Sequence, residues 1–532
     1  MARNESVGST KSELRRDVTV WGSYTWGYAD VGADIYAALG LVIAASQGLA
    51  PAAFALAGII YIMIGLAYTE LASTYPVAGG GHFFALRGLG DFWGFVAGAA
   101  LLLDYTIDIA LFAVASAGYI NFFLPFLFGV DVSNIIIAIG PFHEIKIFWL
   151  IETMVLIGFL ILINIRGVRH SSRLNEVLGA MDLVLETSVV VLGFILAWNP
   201  QLLVSQWNEA LRTLPVSNFM YGSSLAIISF VGLESISQAA QETRRPATII
   251  PRTSIALIFT VVIFAVGFST VGLGILPWQH FAANINDPVA EIAKSIPFLG
   301  FVAGPFAAVL GATILLISAN TGVMGASRLT FSMSQLHLVT GWLDKVHPKY
   351  HTPVRTIVVF SLMGAVEVFL AFLTPSAMDT LANMYAFGAS LGYMLVFIAL
   401  ITLRFKDPYS PRPYLMPINL KIKSGGRDVS FPILGIIGFF GVSFILFEVV
   451  LTHEIGRIAG PAWVIICIIY YLLWRRHNKL PMFKSVKHDW EKQQIDVLTS
   501  AEEYDLVEAY KDALAKRDKQ EKNGIQKTPP TH

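Results

Sequence analysis

Three pairs of carboxylates stand inside long apolar stretches of this chain: Asp30 and Asp34, Asp104 and Asp108, Asp182 and Glu186. Each pair is spaced i, i+4, so both acids share one face if the helix is regular there. A seventh acid, Glu234, lies in a similar setting. An acid at the centre of a bilayer costs about 2.5–3.5 kcal/mol on insertion scales, and no Lys or Arg at comparable depth offsets these. Like charges in a low dielectric favour proton retention. The chemistry that explains such a set is proton coupling or the binding of a cation. The bland readings stay open beside it. Asp30 is either functional or hydrated near the inner end of its span, and Asp108 is either functional or bonded to a neighbouring backbone or hydroxyl group.

The elements that carry these acids are membrane helices. Of 532 residues 55% are hydrophobic and 14% charged, with a mean hydropathy of +0.62, against about 25% charged residues in soluble domains. The apolar runs approach 20 residues, the length of a membrane span, and do not alternate as barrel strands do. The pattern predicts an all-α polytopic membrane protein with about twelve spans, near 26–50, 52–74, 92–127, 146–165, 177–198, 217–240, 254–276, 301–332, 356–375, 379–403, 431–452 and 459–475. The third run reads as a tilted helix that overshoots the bilayer. Basic residues concentrate in alternate connections (Arg87; Arg166, Arg169, Arg173; Arg244, Arg245, Arg252; Lys345, Lys349, Arg355; Arg404 to Arg427), which places both termini in the cytoplasm. The expected organisation is a cytoplasmic segment 1–22, a transmembrane domain 23–476 and a charged cytoplasmic tail 477–532. The tail reads as a solvated extension with a surface helix. Segment 1–17 has no signal-peptide core, so the first span is expected to direct insertion into the plasma (inner) membrane.

Spans 1 and 6 are interrupted at similar depth, by Gly32-Ala33-Asp34 and by Ser229-Phe230-Val231-Gly232-Leu233-Glu234. Matched interruptions in two halves point to an inverted-repeat transporter, because freed backbone groups are tolerated only where they line a cavity. Other chemistry is poorly supported. The single cysteine, Cys467, permits no intrachain disulfide. His337, His347 and His351 lack metal-ligand spacing, and Gly79-Gly80-Gly81 lacks the strand and helix of a phosphate loop. No cofactor, no metal, no nucleic-acid partner and no enzymatic activity are expected.

Tyr221-Gly222-Ser223-Ser224, Phe230 to Glu234, Gln241-Glu242-Thr243-Arg244-Arg245-Pro246 and Ile250-Pro251-Arg252 resemble the sixth-helix signature of the amino acid–polyamine–organocation superfamily. Asn164 to Arg169, Ala326-Ser327-Arg328-Leu329, Val346 to Arg355, Phe387-Gly388 and Arg412-Pro413-Tyr414 extend the resemblance over nearly the whole membrane region. It implies a five-plus-five inverted repeat of the leucine-transporter type (repeats near 23–198 and 216–404, further helices near 430–476), with discontinuous helices 1 and 6. It also implies alternating access around a site between helices 1, 3, 6, 8 and 10. The expected substrate groups are Gly32, Ala33, Asp34, Tyr36, Asp104, Tyr105, Phe230, Gly232 and Glu234. Phe230 reads equally as an aromatic gate or as packing. Asp34, Asp182, Glu186 and Thr321 are expected to serve the coupling ion or proton, with Ser318 and Asn320 as further oxygen donors. Glu242 and Arg244 are expected at a cytoplasmic gate.

The sequence departs from the superfamily at Asp34, which stands where a small residue usually lets backbone amides hold a substrate carboxylate. A charged Asp34 repels such a group by roughly 4 kcal/mol at 4 Å and an effective dielectric near 20. Three outcomes stay open: a protonated Asp34, an Asp34 turned away, or a cationic substrate. The partners expected are a small solute, a coupling H⁺ or Na⁺ and the bilayer. The function expected is secondary active transport of an amino acid or related amine. Leu103-Asp104-Tyr105 also resembles the third helix of potassium importers of the same superfamily, so a bare cation is the alternative cargo. A non-transporting solute receptor is a further alternative.

Overall fold

The computed structural model describes residues 19–77, 79–129, 135–139, 142–167, 171–238, 240, 243–350, 352–424, 427–452 and 455–522. Among these, eleven helical stretches are long and apolar enough to cross a membrane. The first, Val20–Thr74, has 55 residues. At 1.5 Å per residue this is about 80 Å, far more than the roughly 30 Å of a bilayer core. It turns back at Gln47, whose φ of 51° ends one helix, and so supplies two crossings. The crossings thus number twelve, as the sequence predicts. The described ends of the chain then share one face of the membrane region, the terminal face.

Span 1 consists of α1 (Val20–Val31) and α2 (Asp34–Ser46), and span 2 is α3 (Ala50–Thr74). A short α4 (Gly81–Leu89) precedes span 3, α5 (Asp91–Asn121). α5 is the axis of the bundle: its most apolar window is wholly buried, and α15 (Gly300–Gln335, span 8) and α17 (Ala377–Lys406, span 10) pack along it. It ends ten residues after Leu111, at Asn121 rather than near 127, because Pro125 opens a separate short helix, α6 (Leu124–Phe128). Spans 4 and 5 are α7 (Ile147–Arg166) and α8 (Ser171–Leu196). After α9 (Pro200–Thr213), span 6 is α10 (Val216–Ala226), a tight turn Ile227–Phe230 and α11 (Glu234–Gln238). Span 7 is α12 (Pro246–Ile275); α13 (Trp278–Ala283) and α14 (Pro288–Lys294) lead to α15. Spans 9, 11 and 12 are α16 (Val354–Ala371), α18 (Ile433–Thr452) and α19 (Gly456–His477).

Among the described residues two small antiparallel hairpins interrupt the helical pattern, Ile136–Ile139 with Phe142–Lys146 and Asn419–Ser424 with Arg427–Pro432. Both lie in connections between spans.

The two breaks are unequal, contrary to the matched unwinding expected from the sequence. In span 1, Gly32 and Ala33 keep right-handed helical dihedrals, and the Gly32 N–H still bonds to the Tyr28 carbonyl at 2.8 Å. Glycine is needed there for space, since a Cβ would lie 2.5 Å from that carbonyl oxygen. In span 6 the chain does unwind. Val231 is extended and Gly232 has a φ of 109°, a region open mainly to glycine.

The tail also departs from expectation. It folds into α20 (Trp490–Ser500) and α21 (Tyr504–Lys522) and packs on the terminal face. Gln494, Leu498, Ala501 and Tyr510 are buried there. The Glu503 carboxylate accepts the Ala247 N–H at the start of α12, an acid at a helix N-terminus as the dipole favours.

Candidate functional site

The unwound stretch of span 6 faces α1, α5, α15 and α17, and five carboxyl groups converge there. Gly232 lets the chain pass the Asp30 carboxyl: a Cβ on Gly232 would lie 3.0 Å from Asp30 Oδ2. Thr321 of α15 donates its hydroxyl to Asp30 Oδ1 and Ser318 Oγ approaches the Asp30 carbonyl at 3.5 Å. Asp30 is therefore buried among side chains rather than exposed at a helix end. Glu234 opens the helix half after the break. Its Oε2 accepts the Gly232 N–H at 3.2 Å and the Tyr393 hydroxyl at 2.9 Å. Asp104 lies within hydrogen-bond reach of Glu234; two carboxyls bond only when one of them donates a proton. Asp108 accepts from the Tyr385 hydroxyl at 3.4 Å.

Asp34 stands in this field with neither carboxyl oxygen hydrogen-bonded, although it is 1% exposed. Its electrostatic neighbours are Asp108, Asp30, Glu234 and Asp104. Asp104 Oδ1 and the Tyr105 hydroxyl are likewise buried without a partner. A buried polar group normally has one, and stranding it costs about 1–3 kcal/mol, more for a charge. A narrow cleft borders this cluster, lined by Trp26, Asp30, Tyr105, Ser235, Thr321, Met324, Gly325 and Arg328. The Arg328 guanidinium sits over the Trp26 ring at 5.2 Å.

Asp182 and Glu186 form a second cluster. Tyr36 of α2 donates to Asp182 Oδ1 at 2.5 Å, and Tyr28 of α1 donates to Glu186 Oε2. The two tyrosines flank the Gly32-Ala33 junction, so α8 holds both halves of span 1. Tyr119 braces this arrangement, donating to the Tyr36 carbonyl at 3.2 Å. The expected coupling residues thus divide: Thr321 and Asp34 belong to the first cluster, Asp182 and Glu186 to the second.

Phe230 is stacked on Tyr61 of α3 with ring centroids 5.0 Å apart. Gly32 and Ala33 lie at the span 1 junction beside the acids. Glu242 lies outside the described residues, and Arg244 is on the terminal face next to Arg245, which adopts a left-handed φ of 40°. Tyr28 has no place among the residues expected from the sequence. Its signal was its separation of eight residues from Tyr36, which leaves both rings near one helix face.

Ion pairs tie the elements of the terminal face together. Arg404 clasps Glu70 with bonds of 2.9 and 2.5 Å. Arg87 meets Asp407 at 2.7 Å and donates to Gln494 of the tail at 2.9 Å. Asp407 also accepts from Tyr75 at 3.0 Å. Although burial acts in the opposite sense, Arg87, with Ser410 and Arg412, holds the Asp407 carboxyl below the usual carboxylate range.

The model of a family described as amino acid permease matches residues 22–474. The branched-chain amino acid permease BcaP of Bacillus subtilis is 27% identical over 89% of this chain and 96% of its own. The methylthioribose transporter of the same organism is 25% identical over 85% of this chain and 91% of its own. Human cationic amino acid transporter 4 is 26% identical over 72% of this chain and 59% of its own.

Proposed function

Because the chain belongs to the amino acid permease family, we propose that it is a secondary transporter of an amino acid or related amine, working by alternating access. It is an integral membrane transporter and not an enzyme. The proposed site is the five-acid cluster, with Asp34 and Asp104 receiving the substrate ammonium and Tyr105, Gly232 and Glu234 framing it. The observation that carries this reading is the Asp34 carboxyl, buried with both oxygens unpartnered among four other acids. A bound cation supplies the missing partner.

Coupling to H⁺ or Na⁺ is assigned to Asp182 and Glu186, with Thr321 and Asp34 on the substrate side. The terminal face is taken as cytoplasmic, the membrane as the plasma (inner) membrane, and residues near 23–198 and 216–404 as the two repeats. Arg244 belongs to the gate on that face. Proteoliposome uptake tests the proposal. Asp34→Asn is expected to weaken half-saturation by an ammonium-bearing substrate about tenfold or more, equivalent to 1.4 kcal/mol. Unchanged affinity with unchanged rate removes Asp34 from the site. Uptake indifferent to both proton and sodium gradients removes the coupling assignment. Uptake of potassium alone, lost in Asp104→Asn, selects the bare-cation reading in which Tyr105 is an oxygen donor.

A further inference from the structure

Arginines on the terminal face fall into two kinds. Arg87, Arg404 and Arg475 are buried and paired, with side chains 4%, 2% and 0% exposed. Arg475 ends span 12 and is spent internally: it bonds to Asp91 at 3.0 Å and to the carbonyls of Pro481 and Lys484. The bonds of Ser485 Oγ and the Val486 N–H with Asp91 hold the same segment against the start of α5. The chain from 476 to 487 is thereby fixed where the last membrane helix leaves the bilayer.

What this fixed segment shows to the outside is different. Arg476, His477, Lys479, Lys484 and Lys487 are all exposed. None of Arg476, Lys479, Lys484 and Lys487 is ion-paired among the described residues. No acid occurs between Arg475 and Asp489, and Asp91, which anchors this segment, is already taken by Arg475 and His488. Amid these cations Phe483 is 71% exposed and Met482 40% exposed. An aromatic ring beside unpaired cations at a helix exit suits the interface of a bilayer, where apolar surface enters the headgroup layer and cations meet phosphate.

We propose that the segment from Arg476 to Lys487 is a docking surface for anionic phospholipid. The headgroup phosphates would lie against Arg476, Lys479, Lys484 and Lys487, and Phe483 with Met482 would enter the acyl boundary. The occupant is the membrane surface rather than an acidic protein, because the segment is pinned at the exit of span 12 with its apolar side chains uncovered. The same pinning through Asp91 places bound lipid next to the docked tail helices.

The test uses the purified full-length protein in mixed phosphatidylglycerol and phosphatidylcholine, with retained lipid counted by native mass spectrometry. The wild type is expected to retain phosphatidylglycerol preferentially, and to lose it in high salt, since the exposed cations are screened. The combined R476Q, K479Q, K484Q and K487Q variant is expected to lose the preference by about tenfold or more. A control removing two distant exposed lysines, K421Q with K423Q, is expected to keep it. Three results overturn the proposal: retention that resists high salt in the wild type, unchanged preference in the fourfold variant, or an equal loss in the control.

Discussion

The Tyr36 hydroxyl donates to Asp182 at 2.5 Å across the contact between the second half of span 1 and span 5. One turn further along α8, Glu186 is held in the same way by Tyr28 from the first half. An interrupted helix is thus pinned on both sides of its interruption by an acid pair on one neighbour. A change in the charge or ligation of that pair is felt by both halves at once.

Tyr36→Phe leaves Asp182 with no hydrogen bond, because its second oxygen is already unpartnered. The expected cost is about 1–3 kcal/mol, read as a fall in detergent-solubilised thermal stability. Asp182→Asn, which keeps an acceptor for the phenol, is expected to cost less. If the bond is the cause, Tyr36→Phe combined with Asp182→Ala, each of which removes it, falls short of the summed single effects by at least about 0.5 kcal/mol. Strict additivity is the contrary result.

Gly232→Ala meets two obstacles. The φ of 109° is costly for any side chain, and the new Cβ would lie 3.0 Å from Asp30 Oδ2. Backbone strain of this kind is worth about 1–3 kcal/mol. The expected outcome is loss of uptake at wild-type expression, with Gly267→Ala, whose nearest neighbour is a side-chain methyl at 3.4 Å, retaining it. Equal activity of the two variants contradicts the role given to Gly232.

The span pattern and the acids were legible because hydropathy and intramembrane charge are local properties. Pairing was not. Glu70 and Arg404 are 334 residues apart, and each alone reads as a charge at a span end. Gly32 alone predicts an unwound break in span 1, yet a glycine demanded by the Tyr28 carbonyl leaves the same trace in a sequence as one demanded by a positive φ. The tail read as solvated because its charged residues dominate the composition. Its buried stripe of Gln494, Leu498, Ala501 and Tyr510 needs a partner surface to be recognised.

Asp287, in the connection before α14, has its carboxyl pushed up to about 7 by burial and by the neighbouring Glu291. An unfolded aspartate titrates near 3.9. Between about pH 4 and 7 the folded state therefore binds more protons than the unfolded state, and this group's contribution declines as pH rises through that window. Asp287→Asn is expected to gain stability relative to the wild type at pH 8 and to show no such gain at pH 4. Thermal unfolding of both proteins across this range checks the sign. A gain that is the same at both ends rules out titration of Asp287 as its source.

Gln494 is the polar rivet of the tail. Its Oε1 accepts from Arg87 at 2.9 Å and its Nε2 donates to the Thr74 carbonyl at 2.8 Å, both buried. Gln494→Ala strands a backbone carbonyl at the end of α3 and removes one of the two hydrogen-bond partners that Arg87 has among the described residues; the Arg87 guanidinium also covers the Tyr75 ring at 4.3 Å. The expected loss is about 1–3 kcal/mol, and it falls on the docking of α20 before it falls on the bundle. Limited proteolysis is expected to cut the variant faster within 490–522 at unchanged stability of the membrane core. Gln494→Glu is the companion variant: it retains the acceptor for Arg87 and loses only the donor to Thr74, so its cutting rate should lie between the two. Equal protection of all three proteins would mean that the apolar stripe alone holds the tail.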